Sequence, residues 1–231
     1  MHGTFWVSMA AIAFVGTHFL MSHPLRKVLI AAVGESGFLA VYSVTAIATF
    51  VWLVLAYHPS EPNALLWPVG NGLWVVVTIV MLLASILLVG SLARNPAFPK
   101  TGSLEALTAE ARGVYAITRH PMLWAFALWG MCHIAIFPVA ANIIVALAII
   151  ILALVGAALQ DRKKERLQPT IWRAWEAKTS YVPFGAIAAG RARLHGLGWH
   201  ALLGGVIFWL AITWAHIPLS GWAAGIWRWA K

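Results

Sequence analysis

Charge is what this chain has least of. Of its 231 residues only 10% are charged and only 7 are acidic, where a soluble domain carries about a quarter charged residues. That excludes a water-solvated globular surface over most of its length. Cysteine is nearly absent too. The single Cys132 rules out an intrachain disulfide and any cysteine-based metal site assembled from this chain alone. No Ser-His-Asp or two-metal constellation can be picked out, so nothing points to hydrolysis. The first apolar run has no basic stretch before it and no A-x-A cleavage site, and is expected to be a retained first span.

What is present is apolar: 61% of the residues are hydrophobic. The expected fold is all-α, a polytopic transmembrane helix bundle of about six spans with short amphipathic or interfacial helices, in a single membrane domain, 1–231. A helix crosses the bilayer core with about 20 apolar residues. The runs that qualify are roughly 4–22, 36–57, 69–92, 121–137, 139–159 and 199–217. The fourth and fifth join through Phe137-Pro138 as a tight helical hairpin. Pro121 opens the fourth, at a position where a missing N–H costs nothing.

The basic residues give an orientation. Of the 16 lysines and arginines, all but Arg228 and Lys231 lie in the segments 23–35, 93–120 and 160–198. An excess of this kind marks cytoplasmic loops. The chain is therefore expected to cross its membrane several times, with both termini periplasmic. The net charge of +9 is accounted for by this topology and by headgroup contact, not by nucleic acid. Trp67, Trp199, Trp214, Trp222, Trp227 and Trp229 fall near span ends, as an aromatic belt requires. The tail 218–230 reads as a short interfacial helix. Its Gly221-x-x-x-Gly225 spacing is no stronger than chance among so many glycines.

Two of the basic loops have structure of their own. In 103–116, Ser103 precedes Glu105, Leu107, Glu110, Arg112 and Tyr115, the pattern of a short amphipathic helix with a serine cap. In 160–180, Gln160-Asp161-Arg162-Lys163-Lys164-Glu165-Arg166 extends the fifth span, and Trp172 and Trp175 follow. That segment either lies on anionic headgroups, anchored by its tryptophans, or helps close a site.

Ionisable groups inside a span are costly, so intramembrane histidines are candidate functional residues. His18, His23, His120 and His133 are the ones not explained by span ends. His18 shares its face with Phe14, Ala11, Ala10 and Val7. His133 follows Trp129 at i−4 and Gly130 at i−3. An imidazole beside aromatic and small residues suits a haem pocket; it equally suits a hydrogen bond to a neighbouring helix. His120 is turned roughly 220° from His133 on the same helix, so the two serve different faces. The depths of His18 and His133 differ by roughly 10 Å across a core of about 30 Å, which would demand a steeply tilted ligand axis. Whether His120 or His133 is the partner of His18 stays open. Arg119-His120-Pro121, at a helix start, suits an anion or carboxylate, and Asp161 joins it in a polar cytoplasmic-side cluster.

At these residues the chain resembles the NnrU family of bacterial membrane proteins, which includes the plant 15-cis-zeta-carotene isomerase. The matching stretches are Thr17-His18-Phe19-Leu20-Met21-Ser22-His23-Pro24-Leu25-Arg26, Gly34-Glu35-Ser36-Gly37-Phe38 to Tyr42-Ser43, Thr118-Arg119-His120-Pro121, His133, and Gln160-Asp161-Arg162-Lys163 through Thr179-Ser180-Tyr181-Val182-Pro183-Phe184. They cover about 4–187, leaving a C-terminal span and tail, 199–231. The resemblance implies a link to nitric-oxide and nitrite metabolism (denitrification). Through the plant relative it implies haem b on two histidines and redox-gated isomerisation of an apolar substrate. Carried onto this chain, the axial ligands of the haem iron are His18 and His133, with Phe14, Trp129 and Gly130 beside them. The plant pattern has a cysteine three residues before the second histidine; here Gly130 stands there.

A broader likeness runs to isoprenylcysteine carboxyl methyltransferases, which also place Arg-His-Pro at a cytoplasmic helix start with an acidic pair after a hairpin. Here Asp161-Arg162 supplies one carboxylate of that pair. The alternatives are thus an S-adenosylmethionine-dependent membrane methyltransferase, or a non-enzymatic assembly or sensing factor for respiratory enzymes. No catalytic residue is assigned, and no protein partner beyond the lipid bilayer.

Overall fold

The computed structural model describes residues 2–58, 64–93, 95 and 110–230. They form helices without a strand: α1 His2–Ser22, α2 Arg26–Tyr57, α3 Asn71–Ser91, α4 Val114–Ile117, α5 Pro121–Ile136, α6 Ala140–Leu167, α7 Pro169–Lys178, α8 Gly185–Ala188 and α9 Trp199–Ser220, closed by a 3-10 turn, Gly225–Arg228. Helices α1, α2, α3, α6 and α9 are long and apolar enough to cross a membrane, while α5, at 16 residues, is shorter. The chain is a helical membrane protein. Most of the expected amphipathic helix 103–116 lies outside the described residues; of its end, only the single turn α4 is helical.

By contact the chain divides into two compact units, Met1–Val69 with His133–Leu152 and Gly70–Cys132 with Ala153–Lys231. In the first, Val7, Ala10, Ala11 and Phe14 make one face of α1 and are buried with Leu53 of α2 and Ala141 and Ala148 of α6. Lipid tails are as apolar as these helices, so the contact is held by close packing and not by escape from water. Alanines serve that purpose by letting backbones approach. The outer face of α2 carries exposed Val44, Ile47 and Leu55, as lipid contact requires.

At 32 residues α2 is longer than a span needs. Gly34 (φ 73°, ψ 174°) breaks it, in a conformation open to glycine and strained for other residues. The unbroken helix beyond it matches the expected span from 36. At the other end of this unit the hairpin joint is stitched by Asn142, whose amide donates to the carbonyls of His133 (2.9 Å) and Phe137 (2.7 Å). Segment 64–69 lies against that joint through Leu66 N–H to Pro138 O (2.9 Å) and Trp67 Nε1–H to Ala135 O (3.0 Å).

In the second unit α3 and α9 meet at glycines. A Cβ on Gly205 would stand 2.7 Å from Ile86 Cα, and one on Gly204 2.9 Å from Val89. Trp172 and Trp175 of α7 are 1% and 2% exposed, packed with Tyr115, Ile117, Ile86 and Ala201. Their indoles therefore do not lie on headgroups; they fill the core of this unit. Tyr115, edge-on to Trp175 at 6.1 Å, also ties the loop to α3 by donating to Ser91 O (3.1 Å).

The tail also departs from expectation. Gly221 (φ 73°) ends α9, its N–H bonding Ile217 O at 3.0 Å, the usual glycine stop. The chain then folds back instead of forming an interfacial helix. Gly225 lies against Thr213, Trp227 Nε1–H bonds Leu210 O (3.1 Å), and Arg228 sits 4.5 Å over the Trp74 ring.

Candidate functional site

The second unit builds a polar site around the start of α5. Thr118 ends α4 in extended conformation (φ −155°, ψ 151°), and Pro121, the first residue of α5, supplies the fixed φ suited to that place. The three residues between the helices are strapped to segment 180–186. Arg119 N–H donates to Ser180 O (2.9 Å) and Phe184 N–H to Ile117 O (2.7 Å). The Thr118 hydroxyl donates to Tyr181 O (2.7 Å), which also accepts Trp124 Nε1–H (2.8 Å). Ser180 Oγ in turn accepts from Ala186 N–H (2.8 Å). Phe184 takes a left-handed φ of 64° to make that corner.

This strap presents Arg119 and His120 to the charged end of α6. Asp161 lies just past the apolar stretch that ends at Leu159, and its residue is 7% exposed. Its Oδ2 accepts Arg119 Nε (2.8 Å) and Nη2 (2.7 Å), and its Oδ1 accepts His120 Nε2 (2.8 Å). An ionised carboxylate only accepts, so His120 carries its proton on Nε2. The Tyr181 ring stands edge-on to the imidazole at 5.7 Å, and its hydroxyl donates to Leu154 O (2.6 Å). Burial alone would raise the Asp161 carboxyl; the bonds from His120 and Arg119 outweigh it and hold it below the usual carboxylate range.

Arg119 has a second acid in reach, Glu176 of α7, at 3.4 Å. Here burial dominates and pushes the carboxyl up; the Arg119 charge pulls it back only in part, and Asp161 and Glu165 push it up again. Arg119, His120 and Asp161 thus come together as the sequence placed them, joined by a residue it did not single out. The anion that the helix start holds is the protein's own carboxylate.

The first unit carries the other candidates. His18 Nδ1 lies 2.6 Å from Phe14 O. A carbonyl can only accept, so Nδ1 bears the hydrogen and, in the neutral ring, Nε2 holds the lone pair. Ligating histidines are commonly oriented this way, by a bond from the other ring nitrogen. His216 makes the same bond to Ile212 O (2.7 Å), so the arrangement is permissive and not diagnostic. Around His18 stand Phe14 (4.5 Å) and Tyr42 (5.5 Å), both edge-on, and Tyr42 continues to Phe38 at 5.9 Å. Arg26 lies 5.4 Å over Phe38 and pairs with Glu35 at 3.2 Å. His18 of α1 thus meets Tyr42 of α2, which leads through Phe38 to Arg26 and Glu35.

His133 is half-buried three residues before the end of α5, its carbonyl held by Asn142. Trp129 is half-buried and Gly130 buried, one turn earlier. His23, the remaining candidate histidine, has Nδ1 2.7 Å from Ser22 Oγ and a buried Nε2 without a hydrogen-bond partner among the described residues. Among the described residues no group of three or more His, Cys, Asp or Glu could hold a metal ion.

No curated protein and no solved structure matches the chain. The family model described as NnrU protein matches residues 7–224. That takes in both histidine-bearing helices, the polar cluster and the last long helix, and the chain belongs to the NnrU family.

Proposed function

We propose that this NnrU-family protein binds haem b in the bacterial inner membrane, where His18 and His133 would hold its iron. Its function would then lie in nitric-oxide and nitrite metabolism, or in redox-gated isomerisation of an apolar substrate. The observation that carries the reading is the His18 ring, fixed by Phe14 O so that Nε2 is free to ligate, between the Phe14 and Tyr42 rings. Two imidazoles in apolar surroundings suit haem iron. Phe14 would orient His18 and, with Tyr42, keep water from its ring. Asn142 would fix the backbone at His133. Trp129 and Gly130, one turn before His133 in the sequence, complete the proposed set. When bound, haem supplies one-electron chemistry at its iron. The clustering of basic residues in 23–35, 93–120 and 160–198 supports six crossings with both termini periplasmic.

The test is an absorption spectrum of the full chain purified after expression with added haem precursor. A Soret band that is lost in His18→Ala and in His133→Ala supports the reading. Absence of the band removes haem, and a band unchanged in both variants removes the ligand assignment.

A second reading, a methyltransferase using S-adenosylmethionine, is favoured by one specific observation. Glu176 supplies the second carboxylate that the sequence around Asp161 lacks, at 3.4 Å from Arg119. Calorimetry with S-adenosylmethionine decides it: no binding heat at millimolar cofactor ends this reading.

A further inference from the structure

The second unit contains a cleft that neither the haem reading nor the ion cluster uses. Its volume is about 190 Å³ and its lining includes Lys178, Arg191, Arg193, His195, Gly190 and Glu110. Three permanent positive charges thus face one carboxylate, and Glu110 is already paired with Arg112 at 3.4 Å.

The cleft is built on a fixed frame. Gly190 turns the chain with a φ of 68°, bringing Arg191 back over the end of α7. There Nη1 of Arg191 donates to the carbonyls of Glu176 (3.0 Å), Ala177 (2.9 Å) and Thr179 (3.0 Å). These bonds all use Nη1 and restrain the guanidinium, whose Nε and Nη2 make no hydrogen bond among the described residues; a planar guanidinium is the group best matched to phosphate oxygens. Arg193 and His195 are exposed and make no hydrogen bond or ion pair among the described residues.

Position names the occupant. The apolar stretch of α6 ends at Leu159 and the next apolar helix starts at Trp199, which is 84% exposed. Segment 160–198 thus joins the ends of two helices long and apolar enough to cross a membrane, and a connection of that kind falls at headgroup level when both helices cross. Exposed Leu194 stands between Arg193 and His195, with exposed Phe184 and Val182 on the same segment. Cationic groups interleaved with exposed apolar ones match a lipid, whose phosphate and acyl chains arrive together; a free anion uses only the former.

We infer that this cleft is a binding site for the phosphate headgroup of an anionic membrane phospholipid, held by Arg191, Arg193, His195 and Lys178. Native mass spectrometry of the full chain in detergent, offered equal phosphatidylglycerol and phosphatidylcholine, tests it. The wild type should retain phosphatidylglycerol about tenfold over phosphatidylcholine. Arg193→Gln combined with His195→Gln should cut that preference at least fivefold, near the weight of one cationic group at an anionic surface. Arg173→Gln, on the exposed side of α7 and outside the cleft, should leave it unchanged, and millimolar inorganic phosphate should not displace the lipid. Equal retention of both lipids by the wild type overturns the site, as does an unaltered double variant. An equal loss in Arg173→Gln makes the preference one of overall charge and also overturns it. Displacement by inorganic phosphate replaces the lipid with a soluble anion. None of these outcomes depends on haem.

Discussion

Replacing Asp161 by asparagine keeps the shape of the side chain and removes its charge. The residue is 7% exposed, and it accepts Arg119 through Nε and Nη2 and His120 through Nε2. An amide can turn one oxygen toward Arg119, but its NH2 then faces His120, which must move its proton to the other nitrogen to accept. Arg119, whose side chain is 13% exposed, is left with Glu176 at 3.4 Å. Removing one partner of a buried pair costs about 3–5 kcal/mol. Because Glu176 remains, the lower end applies, about 3 kcal/mol, roughly a hundredfold in the folded ratio.

Unfolding in detergent, followed by circular dichroism and by the chain's tryptophan fluorescence, to which the buried Trp172 and Trp175 contribute, reads that loss. A double-mutant cycle with Arg119→Gln should return a coupling of about 1.5 kcal/mol or more. The pH dependence has a fixed sign. A carboxyl held low in the fold stabilises above its unfolded pKa of about 3.9, and that stability drains as pH falls through the lower folded value. The acid limb below about pH 4 should therefore flatten in Asp161→Asn. A variant within about 0.5 kcal/mol of wild type, the range of an ordinary surface change, or an additive cycle would refute the reasoning.

Glu176→Gln should cost much less than Asp161→Asn, below about 1 kcal/mol, because burial already opposes its ionisation; the same melts compare the two. Its raised carboxyl gives the opposite trend, stabilising at low pH and losing that contribution as pH rises through its folded value. Gly205→Ala puts a methyl 2.7 Å from Ile86 Cα and should destabilise by about 1–3 kcal/mol as overpacking does. Gly16→Ala, with nothing within 4 Å of the added Cβ, should stay within about 0.5 kcal/mol in parallel melts. Gly34→Ala forces a side chain into φ 73° and should cost about 1–2 kcal/mol, read as a lower melting midpoint with helix content by circular dichroism retained.

The membrane-spanning helices were legible because each is a long apolar run bounded by glycine, proline or charge. Even the long α2 was read from 36 onward, where Gly34 interrupts it. Arg119, His120 and Asp161 were legible as a cluster because a helix start and a charged helix extension each announce themselves locally. Glu176 was not: it sits on an ordinary amphipathic turn, and only the strap from Thr118 to Tyr181 brings that turn to Arg119. Trp172 and Trp175 were left between an interfacial anchor and a part in closing a site, because sequence pattern cannot distinguish an indole facing lipid from one facing a helix. The α3–α9 contact rests on Gly204 and Gly205, whose spacing carries no helical-pair signature. The fold-back of the tail was not legible because Trp74 lies far from it along the chain and no local signal marks the contact of Gly225 with Thr213.

The proposed ligation of haem by His18 and His133 is tested most directly by electron paramagnetic resonance of the oxidised, haem-loaded chain in detergent. The account predicts a low-spin ferric signal of the bis-histidine type in the wild type and a high-spin signal in His18→Ala. A wild type that is high-spin, or a low-spin signal that persists unaltered when His18 is removed, would contradict it.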